Sequence, residues 1–209
     1  MHAKKIVKAG EKPESASKAL IMLHGRGSSA EDILSLAPHL KLDGFTIWAP
    51  QATQHSWYPY SFLSIPSQNQ PWLNSALELL KGTLEDLLAL GFKSEQIYLL
   101  GFSQGACLCL EFSARHAQRF GGVIAFTGGL IGDQLYRENY KGDFQQTPIF
   151  IGSSDPDPHV PVDRVNDSVA QLREMNASVD VRIYPGMGHT INADEIAAAN
   201  LLLSSHSQK

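Results

Sequence analysis

Ser103 stands at the centre of a Gly-x-Ser-x-Gly motif, G-F-S-Q-G, at residues 101–105. An apolar run at residues 97–100 precedes the motif, and small and apolar residues that suit a buried helix follow it. This context is typical of a nucleophile elbow, in which a strained serine lifts its hydroxyl clear of a sheet. The residues two before and two after the serine must be small, because the neighbouring chain comes very close to such a turn, and here they are Gly101 and Gly105. The following helix would direct its free N–H groups at the reaction centre.

The sequence also offers partners for this serine. A serine hydroxyl is a weak nucleophile until a base accepts its proton, and that base is usually a histidine oriented by a buried carboxylate. In α/β-hydrolases the chain order is serine, acid, histidine, each in a loop after a strand. His189 follows a strand predicted at residues 179–184, in the turn G-M-G-H. Asp155 and Asp157 both follow the predicted strand P-I-F-I-G, and their positions alone do not separate them. We therefore predict a triad of Ser103, His189 and one of these aspartates.

A second glycine-rich turn, H-G-R-G-S-S-A at residues 24–30, follows an apolar strand predicted at residues 18–24. It matches the dinucleotide-binding pattern G-x-G-x-x-A, which requires an acidic residue at the end of the second strand. That strand, F-T-I-W-A, ends in Pro-Gln, and the nearest acid, Asp43, precedes it. A nucleotide site is therefore disfavoured. The turn is better interpreted as an oxyanion loop, which serine hydrolases place after an early strand.

Residues 51–70 are rich in aromatic residues and turn formers and show neither helical nor strand periodicity. Such a stretch is either a lid or pocket wall, or a packed surface loop whose aromatic side chains serve the core. Both interpretations stay open for the group, and a pocket role is favoured for Trp57. Phe102, the neighbour of the elbow serine, is also expected to contact substrate.

The remaining chain predicts alternating strands and helices. With nearly continuous apolar strands, this pattern indicates an α/β-hydrolase fold, a mostly parallel central sheet flanked by helices on both faces. The 209 residues fit one domain, 1–209, without a separate cap domain. The predicted strands lie at residues 18–24, 45–49, 97–100, 121–126, 148–152 and 179–184. The main predicted helices lie at 30–38, 71–90 and 162–175, and Asn192 is the candidate cap of a last helix that runs to about Leu203.

The composition limits the kinds of partner, compartment and cofactor expected for this protein. A net charge of −4 argues against a nucleic-acid partner. The start of the chain lacks the apolar core of a signal peptide, and no apolar run reaches membrane-spanning length. Cys107 and Cys109 are interpreted as packing residues in a reducing cytoplasm. No metal-ligand spacing occurs, so no cofactor is expected. The sequence is compatible with a homodimer.

Five motifs, spread over essentially the whole chain, resemble the phospholipase/carboxylesterase family of small α/β-hydrolases. That family includes acyl-protein thioesterases and is related to the dienelactone hydrolase-like proteins. The motifs are H-G-R-G at 24–27, S-W-Y at 56–58, G-F-S-Q-G-A at 101–106, D-P-H-V-P at 157–161 and G-M-G-H at 186–189.

The resemblance implies roles for individual residues. The family's acid is the aspartate of a D-P-x-V-P run, which selects Asp157 over Asp155. Its oxyanion donors would be the backbone N–H groups of Arg26 and Gln104. The family often has Leu or Thr where Arg26 stands, so the side chain at this position differs while the backbone donor is retained.

These observations together predict a serine carboxylic-ester hydrolase. It would act through a Ser-His-Asp triad and an acyl-enzyme on small-molecule esters, either small or with an acyl chain. Acyl-protein thioesterase or lactone hydrolase activity is an alternative, and so is a hydrolase fold that binds without turnover.

Overall fold

Seven β-strands and five α-helices are present in the computed structural model, which describes residues 1–204. The strands are β1 (Ile6–Gly10), β2 (Lys18–Leu23), β3 (Phe45–Pro50), β4 (Ile97–Phe102), β5 (Gly122–Phe126), β6 (Pro148–Asp155) and β7 (Ser178–Pro185). The helices are α1 (Ala30–Leu34), α2 (Trp72–Ala89), α3 (Gln104–Arg115), α4 (Val162–Glu174) and α5 (Ala193–Ser204).

The strands form one sheet in the order β1-β3-β2-β4-β5-β6-β7. Only β1, at one edge of the described sheet, runs antiparallel to its neighbour, and the other pairs are parallel. In the centre, Leu99 of β4 pairs with Ile21 of β2 on one side and with Val123 of β5 on the other. This arrangement confirms the predicted α/β-hydrolase fold, and it brings the carboxyl ends of β4, β6 and β7 to one edge of the sheet.

Two apolar cores lie on opposite faces of the sheet. Successive residues of a strand point to opposite faces, so Leu99 packs in the core under α2, α3 and α4, and Leu100 packs in the core under α1 and α5. Both side chains are fully buried. Burial on both faces explains why the central strands are apolar throughout.

Three elements differ from the sequence predictions. Strand β1 was not predicted, because its short, half-exposed sequence I-V-K-A-G has little apolar signal. The helix expected at 30–38 ends at Leu34, because a proline at position 38 would clash with the Leu34 carbonyl in a continued α-helix. A 3₁₀ turn, Ala37–His39, replaces its last part. Strand β6 continues to Asp155, three residues beyond its predicted end. None of the helices described in residues 1–204 is long and apolar enough to cross a membrane.

Candidate active site

Ser103 lies at the sharp turn between β4 and α3. Its backbone has φ 54° and ψ −117°, a conformation that L-residues rarely adopt, and its N–H donates to the Phe126 carbonyl at 2.9 Å. A Cβ atom on Gly101 would overlap with the backbone of Gly105, and one on Gly105 would overlap with the Leu23 carbonyl. Both predicted small positions are therefore confirmed as sterically required.

The imidazole of His189 connects the serine to a carboxylate. The Ser103 hydroxyl lies 2.8 Å from Nε2, and Nδ1 donates to Oδ2 of Asp157 at 2.9 Å. Asp155, the other candidate acid, ends β6 with an exposed side chain and makes no hydrogen bond to the imidazole. The structure thus brings Asp157, and not Asp155, to His189.

Asp157 is held in its ionised form by three N–H donors. Its Oδ1 accepts hydrogen bonds from the backbone N–H groups of His159 at 2.8 Å and Val160 at 2.9 Å, and its Oδ2 accepts from His189. Desolvation alone would raise the pKa of Asp157, but these hydrogen bonds outweigh it and lower the pKa below the usual value. A carboxylate that stays charged beside Nδ1 favours the tautomer in which Nε2 can accept the serine proton.

Two rings pack against His189. The ring centroids of Phe102 and His159 lie 5.2 Å and 4.9 Å from that of His189, and both residues line the cleft above Ser103. Phe102, expected to contact substrate, therefore lies at the cleft and beside His189.

The loop that carries His189 is anchored at both ends. The N–H of Gly188 donates to the Ser154 hydroxyl at 2.9 Å. Asn192 caps α5, as predicted, by accepting from the Glu195 N–H at 2.9 Å, while Glu195 Oε2 accepts from the Asn192 N–H at 2.8 Å. Glu195 is fully buried, and burial raises its pKa to about 7.

The two residues expected to supply the oxyanion donors line the same cleft. Gln104 is the first residue of α3, so its N–H has no partner within the helix, and the helix dipole adds positive potential there. Neither this N–H nor that of Arg26 donates a hydrogen bond within the described residues. Both residues line the cleft together with Ser103. Unpaired N–H groups on residues that share a cleft with a serine hydroxyl are the kind of donor that stabilises a developing oxyanion.

The cleft has a volume of about 780 Å³. Its floor and walls include buried apolar side chains, among them Tyr58, Phe62 and Val160. Tyr60, which is 59% exposed, stands at its rim. Such a lining suits an apolar group of a small molecule.

The structure corrects the pocket role expected for Trp57. Its side chain is fully buried in the core and does not line the cleft. Its indole N–H donates to the His24 carbonyl at 2.8 Å, and its ring lies 5.0 Å from the His24 ring. A tryptophan needs a partner for its N–H when buried, and here that partner is the strand end that leads into the oxyanion loop. Its neighbours in the 51–70 stretch, residues 58–63, line the cleft instead.

Sequence reasoning missed Cys107 as a cleft residue. It lies one helical turn after Ser103, is 1% exposed, and borders the cleft floor. Burial raises the pKa of its thiol to about 12, so it is an inert apolar surface rather than a second nucleophile. The i, i+4 spacing from Ser103 was the signal that could have placed it there.

Comparisons with known proteins show the family to which this chain belongs and the fold that it shares. The sequence model of the Phospholipase/Carboxylesterase family matches residues 2–207. A crystal structure of a phospholipase/carboxylesterase from Dyadobacter fermentans superposes with a TM-score of 0.94, at 56% identity over 95% of each chain. Acyl-protein thioesterase 1 of Saccharomyces cerevisiae is 27% identical over 91% of this chain and 93% of its own length. Esterase PE8, at 23% identity and a TM-score of 0.81, covers 95% of this chain and 97% of its own and shares the fold. This chain therefore belongs to the phospholipase/carboxylesterase family of serine hydrolases.

Proposed function

We propose that the protein hydrolyses carboxylic esters through Ser103, His189 and Asp157. The observation that supports this most strongly is the continuous line of hydrogen bonds from the serine hydroxyl to Nε2, at 2.8 Å, and from Nδ1 to the aspartate, at 2.9 Å. These distances are within the reach required of a nucleophile, a base and its orienting group.

In the first half of the reaction, Ser103 Oγ attacks the ester carbonyl while His189 Nε2 takes its proton. The carbonyl oxygen becomes an oxyanion that accepts hydrogen bonds from the N–H groups of Arg26 and Gln104. Each such donor is typically worth about 2.7–4 kcal/mol in the transition state. His189 then gives its proton to the departing alkoxide, which leaves as an alcohol, and the acyl group remains on the serine.

In the second half, a water molecule attacks the acyl carbonyl and gives a proton to His189. The same two N–H groups hold the second oxyanion. When the bond to Oγ breaks, the imidazolium returns its proton to Ser103, and the carboxylic acid is released. Asp157 stays ionised throughout and stabilises the imidazolium, in keeping with its lowered pKa.

The cleft lining favours esters with an apolar group of moderate size. A cleft of about 780 Å³ falls within the range of small-molecule sites, and its buried walls are aromatic and aliphatic. Because an apolar pocket gains only about 1–3 kcal/mol per methylene, a graded preference for chain length is expected rather than an absolute one. We place the reaction in the cytoplasm, since Cys107 and Cys109 are both buried free thiols.

The test is Ser103→Ala, assayed on a series of p-nitrophenyl esters of increasing acyl length, with thioester and lactone substrates in parallel. The wild-type protein should hydrolyse the esters, and the variant should lose at least about a thousandfold in kcat. Activity of the variant within tenfold of wild type would show that the serine assignment is wrong.

The series also addresses the alternatives. Faster turnover of matched thioesters than of oxygen esters would favour the thioesterase activity that the name of the yeast relative suggests. A protein that neither turns over any substrate nor reacts with a serine-directed fluorophosphonate would be a binding module on a hydrolase fold.

A further inference from the structure

The two residues that would supply the oxyanion donors also reach with their side chains to one and the same stretch of chain. This stretch is residues 55–60, called the 55–60 segment below. The side chains of Arg26 and Gln104 each form hydrogen bonds to three of its residues. The catalytic scheme uses only the backbone N–H groups of Arg26 and Gln104, so it does not account for these side-chain contacts.

The Arg26 guanidinium is fixed by its hydrogen bonds. Nη1 donates to the Pro59 carbonyl at 2.8 Å and to the Ser56 hydroxyl at 3.1 Å, and Nη2 donates to the Tyr60 carbonyl at 2.5 Å. It also lies 5.9 Å from the centre of the Tyr58 ring. Its acceptors are neutral oxygens. A planar guanidinium offers its donors in a rigid fork, so several acceptors at once fix both its position and its orientation.

The Gln104 side chain is held in the same way. Its Oε1 accepts from the Trp57 N–H at 2.9 Å and its Nε2 donates to the Tyr58 carbonyl at 2.8 Å. Gln104 is 6% exposed, so these bonds are shielded from water. Both ends of the amide are therefore used, and the residue that starts α3 is bound to the 55–60 segment.

Two hydrogen bonds of His55 complete the connection to the oxyanion loop. The Gly27 N–H donates to the His55 carbonyl at 2.7 Å, and Nδ1 of His55 donates to the Ser28 carbonyl at 2.7 Å. Gln54 and His55 both have positive φ, 55° and 59°. Such conformations cost free energy in non-glycine residues and persist only where surrounding contacts determine them. For His55, these contacts include the two hydrogen bonds to the oxyanion loop.

We propose that the 55–60 segment sets the spacing and direction of the two oxyanion donors, with the Arg26 guanidinium as a positioning residue. The inference rests on the proposed function. Fixing a side chain restricts the backbone of the same residue. Because the side chains of Arg26 and Gln104 are both bonded to the 55–60 segment, their backbone N–H groups are oriented relative to each other. Donors that are oriented before the reaction need no reorganisation when the oxyanion forms. Residues 55–60, within the stretch 51–70 for which a lid was one of the open interpretations, then form a fixed support.

The test compares wild type with Arg26→Met, which removes every side-chain donor, keeps the backbone N–H and keeps a long side chain. We expect kcat to fall by at least about tenfold while KM stays within about twofold, since misdirected donors weaken only interactions made in the transition state. Arg26→Lys, which keeps the charge but loses the fork, should be intermediate. Arg137→Met is the matched control, since Arg137 is exposed and pairs with Glu174, neither of which lines the cleft, and it should behave as wild type.

The second readout is the rate at which a fluorophosphonate labels the protein, because its phosphoryl oxygen would occupy the oxyanion site. Labelling should slow in parallel with kcat. A kcat and a labelling rate within twofold of wild type in Arg26→Met, or a change in KM alone, would overturn the inference. If Arg26→Met is not folded by circular dichroism, Arg26→Lys decides by the same criteria. The proposed function is tested separately by Ser103→Ala, so it can stand when this inference fails.

Discussion

His189 donates one of three hydrogen bonds that hold the Asp157 carboxylate, and the other two come from the backbone of the carboxylate's own loop. The loop N–H groups point the carboxylate at Nδ1, 2.9 Å away. The aspartate therefore does not depend on the histidine for its own position. It can orient the imidazole rather than follow it.

Asp157→Asn should lower kcat by about 10⁴-fold, because an amide in this position favours the wrong imidazole tautomer. Asp155→Asn is the matched control, since Asp155 ends β6 two residues before Asp157 but has an exposed side chain without contact to His189. Steady-state kinetics of both variants on one p-nitrophenyl ester gives the comparison. Equal losses in the two variants would mean that the acid has been assigned to the wrong residue.

Gln104→Leu should destabilise the protein, because the buried Trp57 N–H and Tyr58 carbonyl would lose their partner. Each buried polar group left without a partner costs about 1–3 kcal/mol. Gln171→Leu is a close control: Gln171 is also 6% exposed, but its Oε1 has no partner within the described residues. Urea unfolding should show a clear loss for the first variant and little or none for the second. A similar free energy of unfolding for both variants would contradict the contacts described for Gln104.

Gly105→Ala should damage both stability and activity, since its methyl group would overlap with the Leu23 carbonyl. Overpacking of this kind costs about 1–3 kcal/mol. Gly82→Ala, in the middle of α2 with no atom within 4 Å of the new methyl group, should instead stabilise by about 1 kcal/mol. Thermal melts of the two variants should move in opposite directions. A Gly105→Ala protein that melts at the wild-type temperature would disprove the close packing of the elbow.

The free energy of unfolding should fall between about pH 4.5 and 7 because of the titration of Glu195. Its pKa is raised by burial from 4.5 to about 7, so the folded state binds the proton more tightly than the unfolded state. The resulting stabilisation is fully present below pH 4.5 and is lost as the pH rises through about 7. It amounts to about 3 kcal/mol.

Glu195→Gln tests this pH dependence while keeping an oxygen that can accept from the Asn192 N–H. Denaturant unfolding at pH 5, 6, 7 and 8 should show a flatter profile for the variant than for wild type. Parallel profiles would mean that Glu195 does not titrate in this range.

Positions at strand ends were predictable from the sequence. Ser103, Asp157 and His189 each follow a strand that is apolar or alternating, and strand signals are strong where strands are buried. The chain order of the three residues then restricted the candidates, and resemblance alone separated Asp157 from Asp155. The positions that the proposed chemistry restricts most were thus the easiest to predict.

Side-chain direction was not predictable. Trp57 and Tyr58 are adjacent aromatics in a stretch without periodicity, yet only Tyr58 lines the cleft. Whether such a side chain packs in the core or lines the cleft depends on hydrogen bonds to residues far along the chain, such as the bond from Trp57 to His24. The hydrogen bonds from Arg26 to residues about 30 positions later were not predictable for the same reason.

The most direct test of the central claim is covalent labelling with a fluorophosphonate, followed by peptide mass spectrometry. Labelling of the wild-type protein should give one adduct per chain, on Ser103, and His189→Ala should slow its formation by at least about a thousandfold. An adduct on another residue, or equally fast labelling without the histidine, would contradict the account.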